Sequence, residues 1–317
     1  MESNAFNEKE YLALYPDVAH AVQAGAFTSG WEHYQRFGKS EGREPSGYTA
    51  RERAVFHLID KMGIGLEIGP SINPIAPKRK GYNVHIVDHA SADELRAKYR
   101  QQHVNLDNIE EVDFVSKGEP LTDLIGKTEY YDWIIASHVV ELIPDLISFF
   151  QSCEKLLKPA GVLSLVVPDK RFCFDYFMPL TSTGVLLDAY AEKRVRPSPG
   201  QVFDHFANAS IRDGAIAWAD DQKGANALLH TFSEAKAQWQ RAGDPGEGYI
   251  DVHCWRFTPA SFRLIISDLN SLGLTDLQIL AEFDTVGCEF YVSLGRKNSI
   301  PSVPDRLSLL RQINLKG

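Results

Sequence analysis

The chain has 317 residues, 44% hydrophobic and 24% charged, with a formal net charge of -9. That composition buries a real core, which excludes a disordered chain, and the length suits one large domain with a small appendage. Nucleic-acid binding requires Lys and Arg to neutralise phosphates, so an acidic chain whose short basic run Lys78-Arg79-Lys80 reads as a solvated loop predicts no nucleic-acid partner.

The opening MESNAFNEKEYL lacks the apolar region of a signal peptide, and no apolar run reaches the ~18 residues of a membrane span. Cys153, Cys173, Cys254 and Cys288 form no CxxC pair, so neither a zinc site nor a disulfide framework is expected, and a cytoplasmic location fits. Glu8 to Leu14 reads as a first helix. Asp17 to Ala24 is a second, with Pro16 where proline is tolerated and Gly25 as its stop. Trp31 to Phe37 is a third, ending at Gly38, and Ser40 to Gly47 is a linker. Tyr11, Leu14, Val18, Val22, Trp31, Tyr34 and Phe37 are candidates for one small core.

The run YLALYPDVAHAVQAG…HYQRFGKSEGREP resembles a short helical module written YLxxNPDVAxAVxxG…HYxxxGxxEGRxP, with Tyr15 where Asn is usual. That module accompanies bacterial cell-surface and glycan-assembly proteins. The resemblance implies a packing or docking appendage over residues 1–47, with a glycan-assembly protein as its candidate partner.

From Arg51 the pattern changes. Arg51 to Lys61 reads as an amphipathic helix. Leu66-Glu67-Ile68 is a strand closed by Gly69-Pro70, Val84 to Val87 a second closed by Asp88, and Val112 to Val115 a third. Trp133 to Ser137 is a fourth, Leu146 to Leu157 a helix, and Val162 to Val167 a fifth strand. Short apolar strands between helices indicate a buried parallel sheet. Residues 170–250, rich in aromatics, His, Asp and Gly, break the rhythm and read as an inserted cap. Thr258-Pro259 opens a helix through Leu272. Leu277 to Glu282 and Glu289 to Leu294 form an antiparallel hairpin, and a polar tail from Ser299 carries a helix over Asp305 to Ile313.

An acid inside the first strand followed by Gly69 marks the crevice where open α/β sheets bind nucleosides. Asp88, ending the second strand, suits ribose hydroxyls. Asp113, at the third, suits an adenine amine, with Phe114 against the ring. A dinucleotide would need GxGxxG before a helix. Gly69-Pro70-Ser71-Ile72-Asn73-Pro74 supplies neither, so a dehydrogenase is disfavoured and a cofactor without phosphate fits.

LEIGPSINPIAPKRKGYNVHIVDHA, YDWIIASHVVELIPDL, CEKLLKPAGVLSLVVPD and EFYVSLGRK together resemble class I S-adenosylmethionine (SAM) dependent methyltransferases over about residues 50–298. LLKPAGVLSLVVPD follows that family's LKPGGxLxLxxPD, with Ala160 for a Gly. The resemblance implies an α/β, Rossmann-like fold: a seven-stranded mostly parallel sheet with a C-terminal antiparallel hairpin, the N-terminal module and the cap. The methyltransferase domain then spans 48–298 and the tail 299–317. It also implies SAM as cofactor, held by Glu67, Gly69, Pro70, Asp88, His89, Asp113, Phe114, Ser137 and His138. Two features depart from the pattern. Pro70, Pro74 and Pro77 shorten or remove the usual first helix, and Leu142 stands where many relatives have His after Glu141.

A hydroxyl acceptor benefits from a general base, and His205 and His253 are the two candidates. Lys170, Arg171, Asp204, Asp251 and Trp255 are expected around the acceptor, and no metal site is assigned. The resulting expectation is methyl transfer to a sugar or surface glycan. A SAM-binding scaffold without turnover and a small-molecule methyltransferase are the alternatives.

Overall fold

Asn7 accepts a hydrogen bond from the Glu10 amide and starts α1 (Glu8–Leu14) in the computed structural model, which describes residues 6–45, 49–219, 222–296 and 305–315. The expected linker end Ser46-Gly47 and the tail's start at Ser299 lie outside the described residues. α2 (Pro16–Gln23) places Pro at its first turn, and Ser29 caps α3 (Gly30–His33), which runs into a π-helical turn, Tyr34–Gly38. A Thr49–Glu52 capping box opens α4 (Ala50–Val55). Tyr11 is fully buried, its hydroxyl 3.0 Å from His33 Nδ1, with the Phe6, Tyr15 and Tyr34 rings around it. Leu14 and Phe37 are exposed instead of joining that core; the wider π turn carries Phe37 outward. The helix expected over Arg51 to Lys61 stops at Val55, where Phe56 leaves helical geometry. These elements belong to one compact unit, Met1–His57; the second is Leu58–Gly317.

The second unit is built on a seven-stranded sheet of order β3-β2-β1-β4-β5-β9-β8. Its strands are β1 (Gly65–Ile68), β2 (Val84–Asp88), β3 (Phe114–Val115), β4 (Tyr131–Ser137), β5 (Leu157–Pro168), β8 (Gln278–Val286) and β9 (Glu289–Gly295). β6 (Ser210–Arg212) and β7 (Asn226–Leu228) pair separately in the cap. β1 to β5 run parallel, and β9 and β8 close the edge antiparallel, as the sequence pattern implied. Among the described residues only a short 3-10 turn, Lys78–Lys80, lies between β1 and β2, consistent with three prolines in that stretch.

The helices of this unit are α5 (Ala92–Tyr99), α6 (Leu121–Ile125), α7 (Leu146–Leu156), α8 (Thr183–Ala191), α9 (Pro199–Asn208), α10 (Phe232–Ala242), α11 (Pro259–Ser271) and α12 (Arg306–Leu315). The core lies on the sheet: Leu66, Ile134, Leu163, Phe150, Phe262 and Phe290 are at most 1% exposed. Each such side chain contributes about 1.5–3 kcal/mol by burial. The strand order reverses between β1 and β4, so the crevice outside their carboxyl ends is where this architecture takes a ligand.

Candidate active site

The backbone at the end of β1 is shaped by its own acids. Glu67, 1% exposed, accepts the amides of Ile75 (2.6 Å) and Ala76 (3.0 Å), so it fastens the returning loop from beneath the crevice. Gly69 takes φ +64°, and a Cβ there would sit 3.1 Å from Val139 Cγ2; only glycine keeps this turn low. Pro70 follows half-buried, and Ser71, also at positive φ, donates its amide to Asp88 Oδ2 at 2.9 Å. The other Asp88 oxygen accepts from the His89 amide (2.8 Å) and lies 2.7 Å from His89 Nδ1. Asp88 is thus a buried, oriented carboxylate ending β2, with exposed His89 on its outer side.

Asp113 requires a correction. It precedes β3 and its Oδ2 accepts from the Ile86 amide (2.7 Å) and Lys78 Nζ (2.6 Å), level with the middle of β2 and short of the carboxyl end. The structure does not bring it to the crevice. β3 is only two residues long, so the apolar run begins before the strand does. Phe114 packs against the core, edge-on to His85.

A second set of groups gathers after β4. Half-buried Ser137 ends the strand, and His138 follows at φ +54°, its amide bonded to Val166 O. The His138 side chain is 40% exposed; Nε2 donates to Glu289 Oε2 at 2.7 Å, and Nδ1 lies 3.7 Å from Glu141 Oε1. Glu141 is wholly buried and neither carboxyl oxygen has a hydrogen-bond partner; burial, partly offset by His253 and His138, pushes its pKa up. His253 Nε2 lies 3.9 Å from the same Oε1, and its Nδ1 donates to Asp175 Oδ2 at 2.6 Å. Burial alone would lower the His253 pKa, but the Asp175 charge and hydrogen bond more than offset it and the net shift is upward. Asp175 is held below the usual carboxylate range: burial opposes this, but His253 and Arg256 outweigh it. His205 stands close enough to feel Asp175, His253 and Arg256; burial, with the His253 charge, brings its pKa down to about 4.

His253 therefore meets His138 across Glu141, with His205 near His253, but the expected acceptor residues do not all follow. Trp255 is a core residue, 1% exposed, whose indole N–H donates to Ile143 O at 2.6 Å; an aromatic that large is satisfied inside and does not line a pocket. Asp251 is exposed and Asp204 half-buried, and neither joins the bonded cluster. Lys170 donates to Tyr176 O, and Arg171 grips buried Asp169 through two nitrogens. Arg171 lines a separate cleft of about 340 Å3 with Phe172, Thr258, Arg263, Asp284 and Thr285. Glu141, Asp175 and Glu289 escaped sequence reasoning, although a lone acid in the apolar run Val139-Val140-Glu141-Leu142-Ile143 was a visible signal.

The residues around Gly69 fit a nucleoside cofactor without phosphates. A side-chain-free turn and a fixed carboxylate are present, and among the described residues no α-helix follows that turn before β2. The family model described as Methyltransferase domain matches residues 48–267. A search of the curated proteins found no match. Among solved structures, an S-adenosylmethionine dependent methyltransferase from Mesorhizobium loti is 11% identical, covering 78% of this chain and 98% of that one at TM-score 0.40. A SAM-dependent methyltransferase from Methanosarcina mazei is 14% identical, covering 76% and 96% at TM-score 0.38. A protein from Rhodobacter sphaeroides named for Zn-dependent alcohol dehydrogenases is 12% identical, covering 78% and 90% at TM-score 0.42. Likenesses this distant decide nothing about activity.

Proposed function

The chain belongs to the methyltransferase-domain family and is a SAM-dependent methyltransferase, and from that premise we propose that it methylates a hydroxyl of a sugar or bacterial surface glycan, with His253 as general base. The observation that carries the proposal is the Asp175–His253 pair, 2.6 Å apart, in the cluster that follows β4. When bound, SAM supplies an electrophilic methyl group, whose S–C bond breaks as the acceptor O–C bond forms, leaving the hydroxyl proton for the protein to take. Asp88 and the Gly69 turn are the groups that would hold the nucleoside. Asp175 fixes the His253 tautomer so that Nε2 carries the free lone pair. His205, with its pKa near 4, is the weaker base.

A hydroxyl-rich acceptor is supported by polar atoms of this cluster that make no hydrogen bond: His205 Nδ1, Arg256 Nη2, and Asp175 Oδ1 with Arg256 Nε, which lie 3.6 Å apart. A polyol offers donors and acceptors for such groups, which are costly to leave unpaired. The N-terminal module's likeness to glycan-assembly modules points the same way.

Calorimetric titration with SAM and S-adenosylhomocysteine tests the cofactor site first. Binding to the wild type and its loss in Asp88→Ala is the expected result; equal binding by both would remove Asp88 from the site. Labelled-SAM transfer to glycans, simple sugars and amines then tests the acceptor. Transfer to amines alone would end the hydroxyl assignment. Tight cofactor binding with no turnover on any acceptor would favour a scaffold in glycan assembly.

A further inference from the structure

Glu289, His138, Glu141, His253 and Asp175 form an alternating row of carboxyl and imidazole groups. The separations are 2.7, 3.7, 3.9 and 2.6 Å in that order. The row joins the β9 start, the loop after β4, the segment before α11 and the cap. Its two ends are hydrogen-bonded and its centre is not. Each outer carboxylate takes an imidazole N–H: His138 Nε2 donates to Glu289 and His253 Nδ1 donates to Asp175. A neutral imidazole has one proton to give. With both given outward, both inner nitrogens face Glu141 with lone pairs. An ionised Glu141 would then be repelled on two sides in a fully buried place, without one hydrogen bond to steady it. The charges of the inner three groups are therefore set jointly, through space across the two gaps.

We propose that Glu141 is a positioning residue that couples His138 to His253 electrostatically, as the one buried carboxyl among the described residues that faces both rings, at 3.7 and 3.9 Å. This rests on the reading of His253 as the base. In the coupled unit, half-exposed His138 presents the row to the crevice and His253 anchors it to Asp175. The proton taken from the acceptor hydroxyl stays on the ring that takes it, and the Glu141 carboxyl offsets the positive charge it brings. The other titratable groups facing Glu141 are Cys254 from the segment before α11, Tyr249 at the end of the cap and, beyond His253, Asp175. Burial raises the Cys254 and Tyr249 pKa values, so both stay uncharged near neutrality and leave the charge coupling to Glu141 and the two rings.

Histidine NMR titrations of the full chain test the coupling without relying on turnover. In Glu141→Gln the His253 midpoint falls, because a carboxyl that favours its protonated form is gone. An unchanged His253 midpoint overturns the proposal. If that variant does not fold, His138→Gln serves: the His253 midpoint rises once a competing positive charge is removed, and an unchanged midpoint overturns the coupling. In turnover, Glu141→Gln lowers kcat at least tenfold, leaves the SAM KM unchanged and moves the acid limb of the pH profile to lower pH; a purely structural role would leave that limb in place. Failure to methylate any hydroxyl would end the base assignment while leaving the NMR coupling standing. Wild-type O-methylation with no coupling would end only this inference.

Discussion

His205 shows how burial sets the role of a single residue. Its ring packs edge-on against Phe174 and Phe206, and burial, ahead of the His253 charge, lowers its pKa to about 4. The unfolded chain protonates this ring near pH 6.5. Between those values the unfolded state binds the additional proton, so this residue's contribution to stability is full above about pH 6.5 and is lost as pH falls toward 4. The loss is on the order of 2 kcal/mol, reduced from the full linkage value because the ring is not wholly dry. Denaturant unfolding at pH 7 and pH 5 checks it: His205→Phe should lose less stability across that interval than the wild type. Equal losses would mean that His205 is charged or exposed in the folded protein. His253 has the opposite sign, since its raised pKa gives stability that is present at low pH and lost as pH rises through that value.

At the scale of elements, the contact between β1 and β4 is the tightest constraint. Gly65 pairs with Trp133, and the fully buried indole lies where a Gly65 side chain would be. Gly65→Ala must displace the ring or open the strand pair, at a cost of about 1–3 kcal/mol. Chemical denaturation should show that loss with an unchanged m-value; a neutral effect would mean that the strands slide apart easily. These strands were legible in the sequence because each is a short continuous apolar run, β1 closed by Gly69 and β4 by Ser137, with both faces covered. β3 was legible in place and not in length: the strand expected over Val112 to Val115 keeps only Phe114–Val115, so Asp113 precedes it. The cap was opaque for a different reason. Its apolar residues do not all go inside: Phe232 is 72% and Ile216 55% exposed, so periodicity misleads. Its capping boxes, Ser198 with Gln201 and Thr231 with Glu234, were nevertheless written in the chain and start α9 and α10.

At the scale of the whole molecule, the acid-base row draws on positions from His138 to Glu289, from four separate segments, and no local spacing encodes that meeting. Gly69 and Asp88 were readable as a candidate crevice because β1 and β2 carry them on consecutive strands. The first unit raises the remaining question, and it closes on itself. The Asn7 amide bonds to Pro45 O, and Glu8 caps the amides of Gly30 and Trp31 from 22 and 23 residues away. Such a unit can bind a partner without taking part in chemistry. If it holds a glycan chain, its effect is to raise the local concentration of acceptor, which matters for polymers and not for single sugars. Deleting residues 1–47 should then leave SAM binding and transfer to a small hydroxyl acceptor unchanged, while lowering kcat/KM for a polymeric glycan tenfold or more. Competition between long and short acceptors on the intact chain reads the same effect without a deletion. Equal loss on both acceptors would make the unit a folding aid, and no loss on either would leave a small-molecule methyltransferase as the better description.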